Sequence, residues 1–446
     1  MKLFYSNHKK NFTGFLFLLV FVFSITANSQ ENITVQTDEM IETLKEIQRT
    51  DAELPRYPTL INQIFSTKKN LKQAEPALTA FFATKGNFAG KRWLLNRMLQ
   101  TSSEEAIEYM AELLYEPNAA HLALMALQEI PGKTARESMK EQFPETTHVI
   151  QVGILQTLGE RHDAELINFF SKQTKSKNPD VANAAFSALG KIGTEKSAEV
   201  LVKIIPETRA ENKLVLMEAL LVNAEQMAAE NHSEKAFELY GKLAEMNPPV
   251  AFAVAAVKGR MKTTSGNPVE LLKENLKTTS QELKPELIKL VAMLPASFSQ
   301  GDEWLELPRL AEIEQLQLVL HLARRGDKSI RDEALQFAKH ENAEFHEPAL
   351  RALADVAQTT EIPFLANLAA SGRGEEQALA RRILYTLPGS EVDEYLVTQL
   401  SVADEELKIE YLNAIGERNS ADVTEALLET AKTESKAVKI EAIKTL

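Results

Sequence analysis

The chain has 446 residues, 25% of them charged and 44% hydrophobic, which is the composition of a folded protein and excludes the disordered class. Its 63 acidic against 50 basic side chains give a net charge of −13, and no sizeable Lys/Arg cluster interrupts that acidity, so nucleic acid is excluded as a partner. With no cysteine there is no disulfide, thiolate metal site, c-type haem attachment or cysteine nucleophile, and packing alone must hold the fold.

Residues 1–29 read as a signal peptide. Lys2, Lys9 and Lys10 precede an almost unbroken apolar run, GFLFLLVFVFSITA from Gly14 to Ala27, which is too short to span a bilayer comfortably. Ala27-Asn28-Ser29 then sets small residues where a signal peptidase reads, and cleavage before Gln30 is expected. Cleavage removes three lysines and no acid, moving the charge from −13 to −16. The mature protein is expected to be exported, periplasmic or extracellular, without a membrane span.

After an N-terminal segment, 30–55, the text is helical nearly throughout. Apolar residues recur three and four apart, as in Val181, Ala184, Ala185, Ala188, Leu189 and Ile192, and period-2 strand patterns are missing. Three segments, AHLALMALQEIPG (120–132), VGILQTLGERHD (152–163) and ANAAFSALGKIGT (182–194), align on Leu127, Leu158 and Leu189 at a step of 31 residues. Such a unit has room for two helices of about 11 to 13 residues and two turns, a helical hairpin.

The stretch DVANAAFSALGKIGT (180–194) resembles the inner helix of a HEAT-type repeat, particularly the short bacterial, phycobilin-lyase-like kind. Weaker copies stand at 118–132, 150–163, 376–389 and 406–419, and the resemblance covers most of the chain from Arg56 to Leu446. It implies an all-α, right-handed α-solenoid of HEAT-like hairpins. The pairing of A-L-G-x-I-G with L-G-E-R-x-D is further similar to arrays in secreted bacterial proteins, some fused to a 3-keto-disaccharide hydrolase or a haem-binding cytochrome domain.

LGERHDAEL (158–166) is echoed by IGERNSADV (415–423), 257 residues on, and the chain aligns with itself without a gap from 74–189 against 331–446. A copied block of about eight hairpins accounts for this, giving a first array over 56–300 and a second over 301–446, with the seam at Ala296–Pro308 and Trp304 packed in it. Leu446 then stands where Leu189 stands, inside a helix, and a longer protein with an uncovered C-terminal hairpin is expected.

No catalytic constellation is legible. Gly159-Glu160-Arg161 and Gly416-Glu417-Arg418 are expected to be structural, the glycine supplying a positive-φ helix stop and the charged pair bridging hairpins. His340 and His346 are six apart, not at metal-ligand spacing, and His162-Asp163 sit where side chains diverge. There is no G-x-S-x-G elbow and no phosphate loop, Gly372-Arg373-Gly374 being a turn, and no cofactor or metal is expected. What remains is a non-catalytic scaffold or protein-binding module whose concave face carries a ridge through Met125, Ser187 and Arg382. The acidity favours basic proteins, cations or neutral glycans over anions. The alternative is an accessory array of a larger secreted hydrolase or cytochrome-type enzyme, which would meet glycan through its fused domain.

Overall fold

The computed structural model describes residues 33–294, Trp304, 310–420 and 423–446. Among them there is helix and turn but no strand, and the fold is an all-α solenoid. The signal peptide and nearly all of the seam, with the boundary at 300/301, lie outside the described residues. Two compact units divide the chain, the first ending at Asn231 and the second running from His232 to Leu446.

The first unit stacks helices in two layers. One layer contains α2 (Tyr57–Ile64), α4 (Phe88–Thr101), α6 (Ala120–Glu129), α8 (His148–Gly159), α10 (Pro179–Ile192) and α12 (Lys213–Ala229), each touching the next. The other contains α3 (Lys68–Ala83), α5 (Glu104–Glu112), α7 (Lys133–Gln142), α9 (Ile167–Gln173) and α11 (Glu195–Ile204), with α1 (33–46) ahead of both. In the second unit the same alternation runs through Glu312–Arg324, His346–Val356, Gly374–Thr386, Glu405–Arg418 and Lys436–Thr445, each touching the next.

Local chemistry explains where a helix such as α10 begins and ends. The Asn178 side chain accepts from the Asp180 and Val181 amides at 3.0 and 3.2 Å, and Pro179 pre-sets the first turn. Gly193, at φ 68°, closes the helix in the left-handed conformation, and Thr194 opens α11 with a capping box to Ser197. The buried face is the one the periodicity marks. Leu127, Leu158, Leu189 and, one step further, Leu220 are all fully buried, each contributing roughly 1.5–3 kcal/mol.

Helices and turns recur at the 257-residue offset. Lys133–Gln142 corresponds to Ser390–Gln399, and Pro179–Ile192 to Lys436–Thr445. Gly132 and Gly389 both have positive φ, 95° and 112°, as do His162 and Asn419, 51° and 49°. Arg161 donates to the Leu127, Ile130 and Gly132 carbonyls at 2.9, 2.7 and 3.2 Å, closing the end of α6. Arg418 donates to the carbonyls of Leu387 and Gly389, the same positions 257 residues later.

The repeated Gly-Glu-Arg is thus structural, by a different device from the one expected. The positive φ falls on His162 and Asn419, not on the glycines. Gly159 is needed for proximity: a Cβ there would lie 3.0 Å from the Ala188 Cβ. Glu160 and Arg161 do bridge hairpins, in opposite directions, Glu160 bonding Lys191 of α10 while Arg161 serves carbonyls at the end of α6. Trp304 is fully buried among the core residues of the second unit, with the Lys273 ammonium 5.4 Å from its ring centroid.

Candidate functional site

A groove of about 700 Å³ crosses α8, α10 and α12 of the first unit. The 31-residue step builds it, because equal steps along stacked hairpins put side chains in line. Stepping from Met125 gives Gln156, Ser187 and Glu218, and the last three all line the groove. One turn earlier stand Val152 on α8 and Asn183 on α10, with Ala184, Val215 and Val222 completing an apolar floor.

Hydrogen bonds between neighbouring hairpins fix the groove's width. Asn223 on α12, fully buried, donates to the Leu189 carbonyl at 3.1 Å and to Ser197 Oγ at 2.8 Å. Asn212 donates to the Pro179 carbonyl at 3.1 Å and to Asn183 Oδ1. At Gly190 the backbones come so close that a Cβ would lie 2.8 Å from the Ala219 carbonyl oxygen. These buried polar contacts specify one spacing, since each unmet group would cost about 1–3 kcal/mol.

The electrostatics are one-sided. Lys191 is engaged by Glu160, and His148 Nδ1 lies 3.1 Å from Asn178 Nδ2. Asp180 and Glu218 are exposed in the lining and make no ion pair among the described residues. The groove therefore offers an apolar floor with two uncompensated carboxylates.

At the turn beside α8, Arg136 reaches Asp163 and, at 2.6 Å, Glu165. Burial alone would push the Asp163 carboxyl up, but the Glu165 amide and the Arg136 guanidinium outweigh it and hold it below the ordinary range. His162 points elsewhere, its ring nitrogen on the Lys191 carbonyl, so the two neighbours do diverge.

The three ridge residues are divided between the two units. Ser187 lies in the groove, Met125 is on α6 outside its lining and 42% exposed, and Arg382 belongs to the second unit, in a separate recess. Gln156, Glu218 and the valine floor were missed by sequence reasoning, although counting 31 either way from Ser187 reaches the first two. His346 bonds the His340 carbonyl through Nε2 at 2.6 Å and Glu376 through Nδ1 at 3.1 Å, which makes both histidines part of a turn. Among the described residues no helix is long and apolar enough to cross a membrane.

Residues 145–220, which carry α8, α10 and the start of α12, match the family model for HEAT repeats. Among solved structures, the human deoxyhypusine hydroxylase in complex with glycerol is similar at 16% identity over 77% of this chain and 95% of that one, with a TM-score of 0.27. Kap121p is similar at 12% identity over 88% of this chain and 49% of its own, TM-score 0.33. Importin beta is similar at 13% identity over 91% of this chain and 62% of its own, TM-score 0.34. The chain thus spans about half of the Kap121p chain that it matches.

Proposed function

We propose that this HEAT-repeat scaffold is non-catalytic and holds a protein partner in the groove across α8, α10 and α12. The observation that carries the reading is the pairing of an apolar floor with the carboxylates of Asp180 and Glu218, which have no ion-pair partner among the described residues. A segment with apolar side chains flanked by Lys or Arg complements both features, burying its apolar part while its cations meet the rim. Solenoids of this kind present such faces because each hairpin adds one row of side chains to a continuous surface.

Binding of a fluorescent amphipathic Lys/Leu peptide to the full chain tests this. Asp180→Lys with Glu218→Lys is expected to weaken binding at least tenfold, about 1.4 kcal/mol, and Ser187→Trp to block the groove outright. Equal affinity of wild type and both variants would sink the reading.

Export belongs to the same proposal. It is supported by Lys2, Lys9 and Lys10, the apolar run and Ala27-Asn28-Ser29. N-terminal sequencing of the protein secreted by its native host is expected to begin at Gln30. A chain retaining Met1 in the cytoplasm rejects it.

A further inference from the structure

Among the positions at which the two units differ, one pair changes a buried contact from apolar to ionic. In the first, Leu124 on α6 packs over Gly153 on α8, where an added Cβ would lie 2.6 Å from Leu124 Cδ1. The same positions 257 residues later hold Arg381 and Glu410. Glu410, with a side chain 2% exposed, accepts from Arg381 Nε at 3.2 and 3.1 Å and from Nη2 at 2.9 Å. Tyr385 donates its hydroxyl to the same carboxylate, and burial followed by that carboxylate pushes the phenol up, so it stays a donor.

The first unit packs the same positions without an ion pair. A leucine against a glycine does the packing in the first unit, and a buried ion pair rarely improves on an apolar contact because desolvation offsets attraction. The triad does, however, hold Arg381 in one orientation at the edge of a recess of about 490 Å³. Arg382 lines the same recess, is exposed, and has no side-chain partner among the described residues. Arg381 Nη1 is likewise outside the contacts to Glu410.

We propose that this recess of the second unit binds a carboxylate, supplied by an acidic side chain of a protein partner, with Arg382 as its main contact and Arg381 as a second, pre-oriented donor. Planar guanidinium forks match carboxylates in two-point contact, and fixing one in advance lowers the ordering cost of binding. Glu417 is the opposing element. Its carboxylate lines the recess and makes no ion pair among the described residues, so it restrains affinity and favours a ligand that brings an N–H beside its acid, as a peptide does. The site rests on residues of the second unit alone, and the groove of the first unit could fail without affecting it.

Titration of the full chain at low salt with a labelled Glu-rich peptide, and separately with free succinate, provides the test. Wild type is expected to bind the peptide, Arg382→Gln to lose at least tenfold, Glu417→Gln to gain several-fold, and Met125→Gln, at the equivalent position of the first unit, to change nothing. Glu410→Gln is expected to weaken binding by releasing Arg381. Should that variant unfold, Arg382→Gln, on an exposed side chain, still decides. Tight peptide binding with weak succinate competition assigns the carboxylate to a partner protein. Succinate binding as tight as the peptide's overturns that source, and unchanged affinity in Arg382→Gln overturns the site.

Discussion

Gly190→Val is expected to destabilise the first unit by roughly 3 kcal/mol, the upper end of what overpacking costs, and to abolish peptide binding in the groove. Two effects oppose each other at this position. Replacing a mid-helix glycine gains up to about 1 kcal/mol from a less flexible unfolded chain. Against that, the new Cβ would meet the Ala219 carbonyl oxygen at 2.8 Å and its Cα at 2.9 Å, both backbone atoms that no rotamer change can remove. Repulsion wins, α10 and α12 must separate, and the Asn223 bond to the Leu189 carbonyl breaks with them. Gly241, in the helix Ser233–Glu245, is the control, because nothing lies within 4 Å of its added Cβ. Gly241→Ala should stabilise by about 0.5–1 kcal/mol. Thermal melting followed by circular dichroism separates the two outcomes, and a neutral Gly190→Val would show that α10 and α12 pack less closely than these distances require.

Arg161→Met should cost about 2–3 kcal/mol, and Arg418→Met a similar amount in the second unit. Each removes a guanidinium that covers carbonyls at the end of the neighbouring helix of its layer, and in Arg418 also an ion pair with Asp393 at 2.6 Å, and hydrogen bonds to a charged group contribute more than neutral ones. Methionine keeps much of the stem's packing, so the loss reports the head group. Lysine is not expected to rescue, because a compact ammonium cannot span carbonyls that the fork reaches through both Nη atoms. Chemical denaturation measures both variants; a cost under about 0.5 kcal/mol at either site would mean that water replaces the arginine there.

The architecture was legible because packing wrote it into period and step. Leu127, Leu158 and Leu189 must be buried at equal intervals, and the structure buries all three. The turn at His162 and Asn419 was legible only in part. Sequence marks the conspicuous glycine, but which residue takes positive φ depends on how the turn after Gly159 closes, a matter of hydrogen-bond register. Of the residues lining the groove only Ser187 was singled out by the sequence, because Glu218 and Val215 look like ordinary surface and helix residues until α12 is laid beside α10. Arg381 and Glu410 are 29 residues apart, and nothing local in either says that they meet.

The arginine caps give the array a direction. Arg161 closes the end of α6 from the turn after α8, and Asn223 on α12 reaches back to the Leu189 carbonyl of α10, so these carbonyls are met by a later stretch of chain, although His162 reaches forward to the Lys191 carbonyl. Fraying of α8 therefore exposes the end of α6, whereas fraying of α6 leaves Arg161 without its acceptors but does not itself unwind α8. Loss of structure should travel toward the N-terminus more readily than away from it, as a zip runs open from one end. A protease nicking the turn after α8 would on this account release fragments from the hairpin before the cut sooner than from the hairpin behind it.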